Sequence, residues 1–146
     1  MISENIDEQG LEELAAQMAN KVKAGDRFFI KGPLGSGKST FARAFIRALG
    51  VQGAIPSPTF LMDSVYSIPE RGLEVHHMDL YRLKGSSEEL IMLGFQEILD
   101  SRAVVLVEWP ERIPDLDRMR GCFIHITQGD SDTVRRISIE RNMAGY

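Results

Sequence analysis

Cysteine is nearly absent: Cys122 is the only one in 146 residues, so no intrachain disulfide can staple the chain. It lies in the apolar run Cys122-Phe123-Ile124, where a small buried hydrophobe is a simpler role than a reactive thiol. Long apolar runs are missing too, and no stretch approaches the roughly 20 residues that span a bilayer. The first residues, Met1-Ile2-Ser3-Glu4, lack the basic and apolar blocks of a signal peptide. A cytoplasmic protein is therefore expected. Positive charge is not in surplus either. Seventeen Lys and Arg face 21 Asp and Glu, a formal net charge of −4, which argues against unaided nucleic-acid binding. The basic spots at Arg118 to Arg120 and at Arg135-Arg136 read as solvated faces. Repeats and low-complexity tracts are lacking, and the length suits one domain over residues 1–146.

What is present follows a recognisable order. Leu11, Leu14, Ala15, Met18, Ala19 and Val22 fall on one stripe of an amphipathic helix, stopped by Gly25. Arg27 to Lys31 reads as a short buried strand. A glycine-rich stretch follows at once, and then Phe41, Ala44, Phe45, Ala48 and Leu49 return to helical spacing before Gly50. Beyond the Pro56-Ser57-Pro58 bend, Phe60 to Ile68 and Leu73 to Leu80 flank a turn-rich connector and suit an antiparallel hairpin. Ser86 with Glu89 forms a capping-box pattern for a short helix that Gly94 interrupts before Phe95 to Leu99. Ala103 to Val107 is a continuous apolar run, typical of a strand covered on both faces. Cys122 to Gln128 and Val134 to Arg141 read as a last pair of strands, the second an edge.

The glycine-rich stretch is Gly32-Pro33-Leu34-Gly35-Ser36-Gly37-Lys38-Ser39, which fits the phosphate-binding pattern G-x-x-x-x-G-K-[ST]. Glycines at 35 and 37 allow successive N–H groups to face inward around a phosphate. Lys38 supplies a positive charge near the β- and γ-phosphates, Ser39 a hydroxyl for Mg²⁺, and the following helix its positive end. Such a site needs an acid for the metal at the end of a neighbouring strand. Glu108 ends the most apolar strand, and Asp79 ends Val75-His76-His77-Met78. Both would project into the crevice at the carboxyl ends of the strands. Thr59, on the loop after the first bend, is where a nucleotide switch can place a metal- and γ-phosphate-reaching threonine. His76 and His77 are adjacent, so in a strand they face opposite sides; one buried and one exposed histidine is expected. Trp109 lies near the nucleotide if Glu108 does, with a core tryptophan as the equal alternative. Three alternatives stand beside an ATPase. A small kinase would need a lid supplying arginines, for which Arg112, Arg118 and Arg120 are the candidates. A GTPase switch would need an Asn-Lys-x-Asp string, which is absent. A nucleotide-dependent regulator without useful hydrolysis would share most of the same residues.

Taken with Ser57-Pro58-Thr59-Phe60, His77-Met78-Asp79-Leu80-Tyr81-Arg82-Leu83 and Val107-Glu108-Trp109-Pro110-Glu111-Arg112, the string Gly32 to Thr40 resembles the TsaE (formerly YjeE) family in order and spacing. That family comprises small bacterial ATPases of tRNA threonylcarbamoyladenosine synthesis. The resemblance implies an α/β fold, a P-loop NTPase-like mixed sheet flanked by helices with antiparallel strands added. It also implies ATP/ADP and Mg²⁺ as ligands and low activity alone. The partners would be TsaD and TsaB, whose complex modifies adenosine 37 of certain tRNAs, so that tRNA is met only indirectly. By matching motif, nucleotide contacts fall to Gly32, Gly35, Ser36, Gly37, Lys38, Ser39, Thr40, Thr59 and Trp109. Catalysis falls to Lys38, Asp79 and Glu108, and metal binding to Ser39, Glu108 and Asp79. One departure is Pro33, where the family usually has aspartate; proline removes a carboxylate and an N–H donor from the loop.

Overall fold

The computed structural model describes residues 2–56, 63–83 and 87–142. Along them run β1 (Ile2–Ile6), α1 (Glu8–Asn20), β2 (Arg27–Lys31), α2 (Lys38–Ala48), β3 (Asp63–Ile68), β4 (Leu73–Asp79), α3 (Ser87–Leu93), α4 (Phe95–Asp100), β5 (Val104–Glu108), β6 (Gly121–Gln128) and β7 (Arg135–Asn142). The strands form one sheet in the order β1-β7-β6-β2-β5-β4-β3. Pairings β6–β2, β2–β5 and β5–β4 are parallel, while β3–β4, β6–β7 and β1–β7 are antiparallel. The expected α/β mixed sheet is therefore what forms.

Strand alternation explains the two layers. Phe28 and Ile30 of β2 point to one face, where they join Leu11, Ala15 and Ala19 of α1 and Phe41, Phe45 and Ile46 of α2. Phe29 points to the other, with Val105 and Val107 of β5, Leu90 of α3, and Phe95 and Leu99 of α4. Fully burying a side chain of this size stabilises the fold by roughly 1.5–3 kcal/mol relative to exposure. Cys122 belongs to the first layer, buried, and its thiol is pushed above its ordinary range by loss of solvent. Among the described residues no helix is long and apolar enough to cross a membrane.

Helix boundaries have local causes. Asp7 caps α1, its carboxylate accepting from the Gly10 N–H at 2.7 Å. Gly94, at φ 76°, separates α3 from α4, as its position in the sequence suggests. Ser86 of the capping-box pattern lies outside the described residues. The β3–β4 hairpin forms with a one-turn 3₁₀ connector at Pro69–Arg71.

One expectation needs correction. The strand ending the chain is not the edge: β7 lies between β6 and β1, and β1 is the edge on that side. Its sequence, Ile2 to Ile6, has only two apolar residues and no run to mark it. The β1–β7 register is also irregular between Ser3 and Ile6, with Asn5 at φ 57°.

Candidate functional site

The loop between β2 and α2 carries the glycine pattern, and its backbone explains the glycines. Gly35 sits at φ 75° and Gly37 at φ 110°, both left-handed conformations that side chains resist. Gly37 is crowded as well, since a Cβ there would lie 2.8 Å from Leu11 Cδ2 of α1. Gly37 also occupies the N-cap of α2 with no side-chain cap, so the helix's first N–H groups keep their bonding capacity for a ligand.

Lys38 is buried, and its Nζ folds back to donate to the carbonyls of Gly32 and of Pro33, the latter at 3.0 Å. It also stands 4.1 Å from the Trp109 ring centroid, a cation–π geometry. Burial holds its pKa below the usual lysine value, opposed by the nearby carboxylates Glu108, Glu111 and Asp79. Pro33 thus contributes through its carbonyl, which accepts from both Lys38 and the Ser36 N–H.

Ser39 Oγ donates to Glu108 Oε1 at 2.9 Å. The other carboxylate oxygen, Oε2, lies 2.6 Å from His77 Nε2. A carboxylate oxygen accepts, so Nε2 carries the donated proton. Both side chains are buried, His77 completely. His77 Nδ1 has no hydrogen-bond partner among the described residues, and the tautomer protonated on Nε2 leaves only a lone pair unpaired there. Asp79 lies directly opposite Glu108 in the parallel β4–β5 register, and its Oδ1 accepts from the Tyr81 N–H at 3.0 Å. Burial raises the Asp79 pKa, the Tyr81 N–H opposes that, and the Glu108 charge adds to it.

These groups line one cleft of about 710 Å³. Gly35, Ser36, Gly37, Lys38, Ser39 and Thr40 form its floor; Asp79, Tyr81, Glu108 and Trp109 form one wall. The opposite side is made by Asp7, Glu8 and Gln9 of the α1 start and by Asp132, Thr133 and Arg135. Gly32 is not in the lining but supplies the carbonyl behind Lys38. Trp109, at φ 56°, stacks obliquely on Tyr81 with ring centroids 5.0 Å apart. Thr59 lies outside the described residues.

The side chains that could face a metal bring hard oxygens: the Ser39 hydroxyl and Glu108, with Asp79 alongside. Among the described residues no cluster of three or more His, Cys, Asp and Glu could hold a metal alone. Magnesium in phosphate sites uses one or two carboxylates together with phosphate oxygens and waters, so this donor set fits it.

Sequence reasoning missed two residues here. One of the two adjacent histidines is expected to be buried; it is His77, and it lies against Glu108. Arg135 was expected on a solvated face; instead it turns into the loop. The pair's expected exposed member is not found: His76 too is mostly covered, with Nδ1 2.8 Å from Asp63 and Nε2 3.2 Å from Glu74. Kinase-lid arginines do not enter the lining, which contains none of Arg112, Arg118 and Arg120.

Comparison with known proteins shows the family and the fold. Residues 6–137 match the family profile described as threonylcarbamoyl adenosine biosynthesis protein TsaE. A tRNA threonylcarbamoyladenosine biosynthesis protein TsaE from Streptomyces coelicolor is 35% identical over 132 residues, covering 88% of each chain. Its Bacillus subtilis counterpart is 34% identical over 110 residues, 75% of this chain and 66% of that one. The crystal structure of Bacillus subtilis YdiB superposes with a TM-score of 0.79 at 26% identity, covering 97% of this chain and 84% of the other. With a profile match across most of its length and relatives above 30% identity, the chain belongs to the TsaE family.

Proposed function

We propose that this protein binds and slowly hydrolyses ATP with Mg²⁺, in the cleft floored by Gly35 to Thr40, as part of tRNA threonylcarbamoyladenosine synthesis. The observation that carries the reading is the Ser39–Glu108 contact of 2.9 Å at the head of α2. A hydroxyl and a carboxylate from elements 69 residues apart meet where a triphosphate's metal would lie. Lys38 would exchange the Gly32 and Pro33 carbonyls for phosphate oxygens, a stronger charge-assisted pairing. Bound Mg²⁺ would neutralise charge on the β- and γ-phosphates and relieve the repulsion between Asp79 and Glu108. Asp79 would orient the attacking water from the same rim. Family resemblance supports TsaB and TsaD as partners that raise the rate, with tRNA held by them rather than by this acidic chain.

Trp109 reports on the site because its ring already contacts Lys38. Titrating with ATP, ADP and GTP, with and without Mg²⁺, should give a saturable, adenine-preferring change in Trp109 fluorescence. Lys38→Ala should weaken that response by on the order of a hundredfold or abolish it, since a charge-assisted contact to phosphate is lost. Unchanged ATP affinity in Lys38→Ala, measured by calorimetry, would sink the assignment.

A further inference from the structure

Arg135 opens β7, 99 residues downstream of Ser36, and its side chain reaches the loop between β2 and α2. Nε donates to the Ser36 carbonyl at 2.7 Å and Nη2 to the Gly35 carbonyl at 3.4 Å. Nη1 donates to the carbonyls of Asp132 and Val134, at 3.0 and 3.2 Å. All four acceptors are backbone oxygens, and among the described residues no carboxylate pairs with this guanidinium.

The consequence follows from the planarity of the peptide bond. In a trans peptide the C=O and N–H point in opposite directions. Fastening the Gly35 carbonyl turns the Ser36 N–H away from Arg135, where it closes the loop's own turn on the Pro33 carbonyl at 3.1 Å. Fastening the Ser36 carbonyl turns the Gly37 N–H away from Arg135 in the same manner. Gly37 is crowded on one side, where a Cβ would stand 2.8 Å from Leu11 Cδ2, and in ordinary contact range of Arg135 Nε at 4.0 Å. A planar guanidinium can hold two consecutive carbonyls and the adjoining turn at once, whereas an ammonium on a flexible stem cannot. Its charge also lines the same cleft.

We propose that Arg135 is a positioning residue for the phosphates of ATP and ADP: it fixes the peptides 35–36 and 36–37 so that the Gly37 N–H is presented to them. This rests on the reading of the cleft as a nucleotide site. Arg135 would act through the loop backbone and tie phosphate binding to the β6–β7 turn.

The test is calorimetric titration of the full chain with ADP, inorganic pyrophosphate and adenosine, for the wild type, Arg135→Ala and Arg135→Lys. Arg135→Ala should weaken ADP and pyrophosphate on the order of tenfold or more, as expected for losing hydrogen bonds from a charged donor. Adenosine binding should be unaffected. Millimolar guanidinium ion, far below denaturing levels, should restore pyrophosphate binding to Arg135→Ala, and Arg135→Lys should recover less than that. Should Arg135→Ala fail to fold, Arg135→Lys keeps the charge without the fork and decides alone; ADP affinity equal to the wild type would overturn the proposal. Arg135→Ala binding both phosphates within twofold of wild type would overturn it equally. A wild type that binds neither ADP nor pyrophosphate would sink the reading of the cleft itself, not merely the role of this arginine.

Discussion

Glu108 divides its two oxygens between Ser39 and His77, and this division decides what each substitution at the site should do. Replacing Glu108 by Gln removes the charge but keeps the shape. Nucleotide binding without metal should persist, while Mg²⁺ dependence and hydrolysis should be lost; full hydrolysis in that variant would transfer the metal role to Asp79. His77 is not part of the cleft lining, yet it holds one oxygen of Glu108 and so sets its orientation. His77→Leu should therefore raise the Mg²⁺ concentration for half-maximal ATPase about tenfold to a hundredfold, leaving metal-free ADP affinity unchanged. An unaltered Mg²⁺ requirement would mean that Ser39 alone orients the carboxylate. At this scale the sequence was legible where chemistry is local. Lys38 and Ser39 belong to one contiguous motif, and Glu108 stood out as an acid closing an apolar strand. His77 and Arg135 were not legible, because their partners lie 31 and 99 residues away and depend on strand register.

The β3–β4 hairpin carries an acid–base clamp on its outer side. His76 stands between Asp63 of β3 and Glu74 of its own strand. The hydrogen bond to Asp63 raises the His76 pKa above its ordinary 6.5, against burial, which lowers it. A raised folded-state value means that the stabilisation is fully present below pH 6.5 and is lost as pH climbs through the elevated value. Urea unfolding at about pH 6 and about pH 9 should show the wild type losing more stability with rising pH than His76→Gln. Parallel pH profiles would show that the clamp contributes nothing. Most elements were readable from periodicity and glycine placement, including the break at Gly94. Strand β1 was not, because an irregular five-residue edge with two apolar residues has no period to detect, and missing it made β7 look like the margin of the sheet.

All seven described strands share one sheet, and both helical layers pack on it, so we propose that the chain unfolds as a single unit. A ligand bound only by the folded chain adds about 2.7 kcal/mol at a hundredfold excess over Kd. For a domain of this size that corresponds to a rise in Tm of roughly 5–10 °C. Differential scanning calorimetry with saturating ADP and Mg²⁺ should show one transition displaced upward by that amount. Two separable transitions, only one of them moved, would argue against a single unit. The architecture was legible as a whole because strand, glycine loop and helix occur in a fixed order. The position of β7 inside the sheet was not, because it depends on a pairing between opposite ends of the chain.

That pairing has a consequence in time. The glycine loop is synthesised early, whereas the arginine bonded to its carbonyls belongs to the last of the described strands, 99 residues later. At a ribosomal rate of roughly 5–20 residues per second, the loop waits about 5–20 s for that partner. A nascent chain would carry the glycine motif, its helix and the Glu108 strand before the C-terminal hairpin exists to brace them. Ligand competence should therefore arrive late and abruptly during translation, with the emergence of residues 121–142 rather than with the motif that names the site.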